Sequence, residues 1–192
     1  MIKGISDFKS NFAGGARPNL FEVALTFPNE VRQQFNANTF STLTPAQTTM
    51  MMVKGASLPS SVVGTIPLKF RGRELKIAGD RTYETWTITV INDTGMELRN
   101  MFEAWMDLIA RNSANVSAYD NLDYMTQLNV SQLNGQGQQT KTYTIKDAYP
   151  INIQAIELSY DTTDAIEEFT VEFNYQYWTS GESGVIEQVT SI

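Results

Sequence analysis

Apolar and polar side chains alternate along three segments of the chain. Apolar residues occupy the odd-numbered positions of 21–27, from Phe21 to Phe27, and those of 169–177. The third segment alternates Trp86, Ile88 and Val90 with Thr85, Thr87 and Thr89. A period of two sends successive side chains to opposite faces of a strand. Each segment therefore predicts an antiparallel-type strand with one dry face and one wet face.

Further segments have strand character, and turn residues separate them. The candidates are 66–71, 74–78, 124–133, 140–146 and 151–160. In the last of them the apolar residues move from odd-numbered to even-numbered positions, which predicts a bulge or sharp bend near Ala155.

Glycines mark the expected turns. Gly72 separates two short strands, and residues 134–137 have the composition of a hairpin tip. Gly79 and Asp80 are expected to form a turn before the strand that contains Trp86.

The segment of about 94–111 has helical spacing. Thr94 and Glu97 are placed as a capping box that would start the helix, and Asn112 and Ser113 are candidate terminators. Burying each large apolar side chain contributes ~1.5–3 kcal/mol, so we expect this helix to seal one face of the sheet. Its apolar stripe consists of Leu98, Met101, Phe102, Trp105, Leu108 and Ile109.

These patterns predict one mainly β domain over residues 1–192. Its fold class is an antiparallel β-barrel or sandwich with one flanking α-helix. The poorly patterned stretch 28–49 is expected to be a long loop or insertion. Residues 179–192 are expected to form an extended C-terminal tail that orders against a partner.

The absence of Cys and His excludes much enzyme chemistry. Without them the chain has no disulfide, no thiolate metal site and no Ser–His or Cys–His nucleophile pair. Residues 161–164 lack the alternating oxygen ligands of a calcium loop. We interpret the acidic pairs as solvated turn residues, and predict no enzyme activity, metal or cofactor. These pairs are Glu167/Glu168, Asp161/Asp164 and Asp120/Asp123.

The net charge of −7 argues against a general nucleic-acid binder, which needs Lys and Arg to displace counterions. Lys69, Arg71 and Arg73 are predicted to share one strand face, opposite the apolar residues of the same segment. They could contact phosphate. In an acidic chain we favour pairing with carboxylates of a neighbouring strand or of another copy.

The chain shows no targeting signal. Its first residues lack the apolar region of a secretory signal. The apolar run 50–53 is far shorter than the roughly 20 residues of a membrane helix. We expect synthesis in the cytoplasm, without a membrane segment.

Several motifs resemble the tail tube proteins of contractile-tailed bacteriophages. The resemblance covers most of 16–178, and its first two pieces are specific in this order and spacing. The first piece contains Arg17, Pro18, Asn19 and Phe21, the second Gly79, Asp80, Arg81 and Thr82, and the third Trp86, Asn92 and Asp93.

The resemblance implies a subunit of hexameric rings that stack into a hollow tube within the virion tail, assembled in the cytoplasm of the host. Each subunit would contribute strands to a continuous β-barrel around the lumen. DNA would pass through this lumen without specific binding. Implied partners are further copies of the chain and the sheath, baseplate and tail terminator proteins. Disturbing Asp80 or Arg81, which we expect at a turn, should damage assembly or folding.

The wet strand faces are candidates for the hydrated surfaces of such a tube. We expect them to face either the lumen or the sheath. They carry Thr170, Glu172, Asn174 and Gln176, with Thr85, Thr87 and Thr89.

The sequence is also compatible with other functions. The chain could start the tube at the baseplate, or belong to a related injection system that delivers protein. From a different class, a monomeric β-barrel could carry a small apolar ligand. A glycoside hydrolase needs two carboxyl groups facing each other, and the spacing here does not favour one.

Overall fold

A computed structural model describes residues 4–12, 15–35, 52–110 and 122–182. These residues form three α-helices, one short 3-10 helix and nine strands. The helices are α1 (Ile5–Phe12), α2 (Asn29–Gln34) and α3 (Glu97–Ile109), with the 3-10 helix at Leu122–Tyr124. The strands are β1 (Phe21–Leu25), β2 (Val53–Ala56), β3 (Val62–Phe70), β4 (Arg73–Thr82), β5 (Trp86–Ile91), β6 (Thr126–Leu133), β7 (Gln139–Ile153), β8 (Glu168–Asn174) and β9 (Tyr177–Glu182).

Seven strands form one antiparallel sheet in the order β1-β6-β7-β8-β5-β2, with β9 also paired to β7. Strands β3 and β4 form a separate two-stranded sheet. The prediction of a mainly β, antiparallel fold with one main helix is confirmed. Among the described residues the sheet does not close into a barrel, because β1 and β2 remain at its ends.

Strand β7 joins the two halves of this sheet. Its first part pairs with β6 on one side and β9 on the other, and its last residues pair with β8. A bulge separates these parts: the β6 register shifts between Thr126 and Leu128, and Asp147 has a positive φ of 55°. Bulges increase local twist. The bend lets one strand serve both halves.

The core lies between the sheet and α3. The alternating residues of β5 and β8 are buried as predicted, as are Val23 and Leu25 of β1. In α3, Leu98, Met101, Phe102 and Trp105 are buried, and the predicted stripe is confirmed for these four. Leu108 and Ile109 are partly buried against the same cluster.

Helix α3 begins later than the expected capping box. It starts at Glu97, and the carboxylate of Asp93, not the hydroxyl of Thr94, accepts hydrogen bonds from the backbone N–H groups of Gly95 (3.1 Å) and Glu97 (3.1 Å). A carboxylate at a helix N-terminus also meets the positive end of the helix dipole. The proposed terminators Asn112 and Ser113 lie outside the described residues.

Several expected loops are ordered elements. Residues 29–34 of the expected 28–49 loop form α2, and residues 36–49 lie outside the described residues. Of the expected tail, residues 179–182 belong to β9, which pairs with β7. The bend predicted near Ala155 was wrong: β7 ends at Ile153, and its register shift with β8 lies between Pro150 and Asn152.

Candidate assembly surfaces

No group of side chains among the described residues could hold a metal ion. Within the same ranges, none of the helices has both the length and the apolar character that a membrane crossing requires. The acidic pairs do not converge on a common point. Glu168 pairs with Lys54 at 2.6 Å, whereas Glu167 accepts a hydrogen bond from Asn92 at 2.9 Å. These two glutamates are therefore bound to partners and are not simply solvated, and Asp120 lies outside the described residues.

The motif residues Asn92 and Asp93 hold the end of β5 in place. The backbone N–H of Asn92 donates to the carbonyl of Glu167 (2.8 Å), and its side-chain amide donates to the carboxylate of the same residue. Asp93 caps α3. This motif therefore has a structural role, joining a strand, a helix and the segment that leads into β8.

The first motif forms the turn that leads into edge strand β1. Arg17, Pro18 and Asn19 are exposed, and the backbone carbonyl of Arg17 accepts hydrogen bonds from Leu20 N–H (3.1 Å) and from the Gln132 amide (2.8 Å). Phe21, which starts β1, packs against the core cluster.

Trp86, the remaining residue of the third motif, is buried at the start of β5. Its indole N–H donates to the carbonyl of Ser57 at 2.6 Å. The indole of Trp178 (3.1 Å) and the hydroxyl of Tyr175 (3.4 Å) donate to the carbonyl of Ser60. Three aromatic side chains thus fix the segment that precedes β3. Burial, with smaller contributions from nearby Tyr83 and Glu84, raises the pKa of Tyr175 above its ordinary value of 10.0.

Strands β3 and β4 form a hairpin rooted at that segment. Gly79, Asp80, Arg81 and Thr82 lie within β4 and not at a turn, so the expected turn was wrong. Two residues, Gly79 and Asp80, stand opposite the single Gly64, which makes a bulge. A Cβ on Gly79 would lie 3.2 Å from the carbonyl carbon of Gly64. The strands approach so closely here that a side chain at this position would have to push the backbone of Gly64 aside by a few tenths of an ångström.

The hairpin exposes an apolar face to solvent. Cross-strand neighbours Ile66 and Ile77, and Leu68 and Leu75, place four aliphatic side chains on this face, and Phe70 extends it to the tip. Every residue of β3 and β4 is exposed except Gly79, and Phe70 is 69% exposed. We call these five side chains the apolar hairpin face. Contiguous exposed apolar surface of this kind marks interaction sites.

The predicted basic row does not share one face. Lys69 and Arg73 lie on opposite faces, because Arg73 pairs with Phe70 while Lys69 pairs with Glu74. Arg71 occupies the turn with a φ of 46°, and its guanidinium lies 5.3 Å from the centre of the Phe70 ring. The prediction assigned all three residues to one face by carrying the alternation across Gly72, but the chain reverses at Arg71 and Gly72.

A second surface lies on the side of the main sheet away from the core. Thr87 pairs with Glu172 and Thr89 with Thr170, and Asn152 of β7 stands on the other side of Glu172. These five residues form the polar face. The two predicted wet rows therefore adjoin in β5 and β8. Thr85 precedes β5, and Asn174 and Gln176 are exposed around the end of β8.

The part of the sheet that carries the polar face has two free edges. Its strand order is β2-β5-β8-β7, and no described strand pairs with β2 on its far side. On the other side, the pairing of β7 with β6 ends at Ala148, so the stretch 149–153 is paired only with β8. Unpaired N–H and C=O groups along such edges are available to another chain.

Residues 16–180 match the family model described as "Phage tail tube protein". The chain belongs to the phage tail tube protein family. It is 30% identical over 177 residues to tail tube protein gp19 of Enterobacteria phage T4, covering 91% of this chain and 98% of that relative. It is 25% identical to the tail tube protein of Serratia phage KSP90, over 89% and 93% of the two chains.

Solved structures have the same fold as this tail tube protein. One is a chain of the anti-feeding prophage baseplate, with a TM-score of 0.61 at 16% identity, covering 88% of this chain and 97% of that one. Another is a chain of the PVC sheath–tube complex in the extended state, with a TM-score of 0.56 at 15% identity, covering 90% and 97%. The resemblance to contractile-tailed phages is confirmed, and this tail tube protein is a structural component of the virion.

Proposed function

We propose that six copies of this tail tube protein close into a ring, and that the rings stack into a hollow conduit for DNA inside a contractile sheath. The tube would end on baseplate and tail terminator proteins, and the chain would have no enzyme activity. The observation that carries this proposal is the four-stranded segment β2-β5-β8-β7, which is open at both edges. Ring closure would pair every one of these edges.

The strand directions suit such a ring. Neighbouring strands in the segment are antiparallel, so β2 and β7 at its two edges run in opposite directions. In a rotationally symmetric ring, β7 of one copy meets β2 of the next. Because the number of strands is even, this new junction is also antiparallel. The direction of the strands therefore alternates around the whole ring without a break.

The polar face would then line the channel. Helix α3 and the core cover the opposite side of these strands, so this face is the one left for water. It consists of threonines and Asn152 around one carboxylate, Glu172, while the carboxylate of Glu168 is paired with Lys54. DNA phosphates release no counterions to a wall of this kind, so the channel would not retain DNA.

Electron microscopy of the purified chain tests ring closure directly. We expect hexameric rings, and tubes at higher protein concentration. Ile151 lies on the open β7 edge and has no partner residue in β8. Ile151→Pro removes an N–H from this edge and should abolish rings while circular dichroism still reports a folded chain. Ile151→Val, which keeps the N–H, is the matched control. A monomeric wild-type chain at all concentrations would refute the proposal.

The lining of the channel has its own test. In tubes of Glu172→Lys, each subunit adds a positive charge to the polar face, so single- or double-stranded DNA should bind with a steep salt dependence. Glu172→Gln keeps the shape without the positive charge and is the control. If DNA bound equally to all three tubes, or to none, this face would not line the channel.

The motif residues Asp80 and Arg81 are proposed to act in assembly. Both are exposed on β4, and neither forms an ion pair within the described residues. Asp80→Ala and Arg81→Ala should therefore leave the free energy of unfolding within about 0.5 kcal/mol of wild type. We expect fewer or shorter tubes. Unchanged tubes in both variants would leave this motif without an assembly role.

A further inference from the structure

The connection between β7 and β8 carries a second exposed surface. Residues 154–167 include four carboxylates and no Lys or Arg. Leu158, Tyr160 and Ile166 are among the most exposed large apolar side chains, with Tyr160 fully exposed. Hydrogen bonds from Asp161 N–H to the Ser159 hydroxyl (3.2 Å) and from Thr162 N–H to the Ser159 carbonyl (3.3 Å) shape the turn. We call residues 154–167 the acidic loop.

A shallow groove of about 290 Å³ runs through the acidic loop. Apolar residues Ile156, Leu158 and Ile166 line it, together with the carboxylate-bearing Glu157 and Glu167. None of the four carboxylates of the loop forms an ion pair within the part of the chain that the structure describes. The groove is thus lined mainly by polar groups, with three large apolar side chains among them and carboxylates of the loop that have no cationic partner in the described residues.

The β3–β4 hairpin has the complementary composition. Residues 62–82 contain five basic and two acidic side chains, a net charge of +3, although the whole chain has a net charge of −7. Two of the basic side chains, Arg71 and Arg73, lie beside Phe70 at the tip of the apolar hairpin face, whereas Lys69 and Lys76 lie on the opposite face of the hairpin. None of them forms an ion pair in the described ranges either.

The two surfaces lie at opposite ends of the same strands. The hairpin is rooted where Trp86 of β5 pairs with Phe173 of β8. The acidic loop joins β8 at Glu168, where Ile91 ends β5. Five residue steps along β8, from Phe173 to Glu168, separate these ends by ~17 Å, at the usual rise of a strand. A contact between unlike ends of two copies is head-to-tail, and contacts of this type propagate as filaments.

From this arrangement we propose that the hairpin of one copy docks on the acidic loop of a copy in the next ring, with Phe70 in the groove and its arginines against the carboxylates. The inference rests on the proposed function, to which it adds the contact that joins rings. It identifies the occupant of both surfaces as a second copy of this chain. Complementary charges would also fix the polarity of the tube, because two hairpins or two acidic loops repel each other.

Charge reversal in the full chain tests this contact. Arg71→Glu with Arg73→Glu should lower the fraction of subunits in tubes, and so should Asp161→Lys with Asp164→Lys. Each junction repeats the contact once per subunit, so we expect at least about a tenfold loss in pelleting and microscopy. Combining all four substitutions should restore tubes. The matched control for the loop variant is Glu22→Lys with Glu30→Lys, which makes the same change in net charge on β1 and α2, outside both surfaces, and should leave tubes unaffected.

The outcomes separate the two proposals. If either charge-reversed double variant still formed tubes like those of the wild-type chain, the docking contact would be wrong and ring closure would be unaffected. Wild-type rings that never stack would do the same. A wild-type chain without rings would overturn the proposed function, and this inference would fall with it. Loss of tubes in each double variant, with recovery in the combined chain, would support the contact.

Cross-linking provides a measurement that does not depend on reversed charges. The natural chain has no Cys, so any disulfide between introduced cysteines reports a contact. Arg73→Cys, on the same face of the hairpin as Phe70, mixed with Asp161→Cys in the loop should give mainly mixed dimers on oxidation. A predominance of hairpin-to-hairpin dimers would overturn the proposal in favour of hairpins that bind each other.

Discussion

Strands β5 and β8 and the β3–β4 hairpin share an alternation of apolar side chains but have opposite surroundings. In β5 and β8 the alternating apolar residues are buried against α3, and Val90, Val171 and Phe173 have no exposed surface. In the hairpin, five apolar side chains share one face and remain between 43% and 69% exposed. Alternation therefore specifies a strand with an apolar face. It does not specify whether the chain itself or a neighbouring copy covers that face.

The largest difference between the two regions should appear in folding stability. Phe102 of α3 is fully buried, and its ring lies 5.3 to 6.1 Å from those of Phe27, Phe169 and Phe173. Phe102→Ala should lower the free energy of unfolding by ~3–5 kcal/mol because it leaves a cavity in the core. Denaturant unfolding measures this loss. Phe70→Ala, at the exposed tip of the hairpin, is the control; an equal loss there would mean that the hairpin packs on the body.

Within the hairpin, the close approach of the two strands at the bulge should affect folding stability more than the exposed apolar side chains do. Gly79→Val would force atoms against the backbone of Gly64, at a cost of about 1–3 kcal/mol to hairpin stability. Hydrogen exchange in β3 and β4 should rise while the core strands stay protected. Gly135→Val, at a hairpin tip with no atoms within 4 Å of the added Cβ, is the control. Unchanged exchange in Gly79→Val would contradict the bulge.

Tyr175 contacts Ser60 at the joint between the core strands and the hairpin, and its contribution to folding stability should depend on pH. The raised pKa of Tyr175 means that the folded chain keeps this phenol protonated where the unfolded chain, with the ordinary pKa of 10.0, begins to lose the proton. Its contribution to stability is complete below about pH 10 and declines as the pH rises through the folded pKa.

Tyr175→Phe tests this joint. At neutral pH it should cost about 0.5–1 kcal/mol, since it removes only the long hydrogen bond to Ser60. Urea unfolding at about pH 8 and about pH 11 should then show a smaller decline for the variant than for wild type. Equal declines would mean that burial of Tyr175 does not oppose its ionisation.

The smallest effect on folding should come from the apolar hairpin face itself. Leu68→Ser changes a side chain that is 49% exposed, so the free energy of unfolding should change by less than about 0.5 kcal/mol. Tubes should nevertheless be fewer or shorter. Leu122→Ser alters a similarly exposed leucine outside the hairpin and should affect neither property. If Leu68→Ser assembled normally, the apolar hairpin face would not be an interface.

Much of the fold was predictable because local patterns identify local structure. The burial of Trp86, Ile88 and Val90, and of Phe169 and Val171, followed from alternation alone. The α3 stripe followed from helical spacing. The cap of α3 was misassigned because Thr94 and Asp93 are both good capping residues, and only the geometry selects the carboxylate.

The candidate surfaces were predictable only in part. The wet rows of β5 and β8 were identified from the sequence, but their adjacency depends on the pairing of Thr87 with Glu172. The basic row failed because parity arguments hold only within one strand, and the chain reverses at Arg71. Gly72, which stands between two alternating segments, was the available signal for that reversal.

The sequence by itself determined most of the strands, the main helix and which side chains of each are apolar, although it missed β2 and most of β9. These properties depend on neighbours a few residues away, so the pattern contains them. Only the tertiary structure decided that β7 bends to serve two half-sheets, that β2 and β7 present open edges, and that the hairpin and the acidic loop lie at opposite ends. Those properties depend on which distant strands form hydrogen bonds with each other, and alternation is the same for every possible pairing.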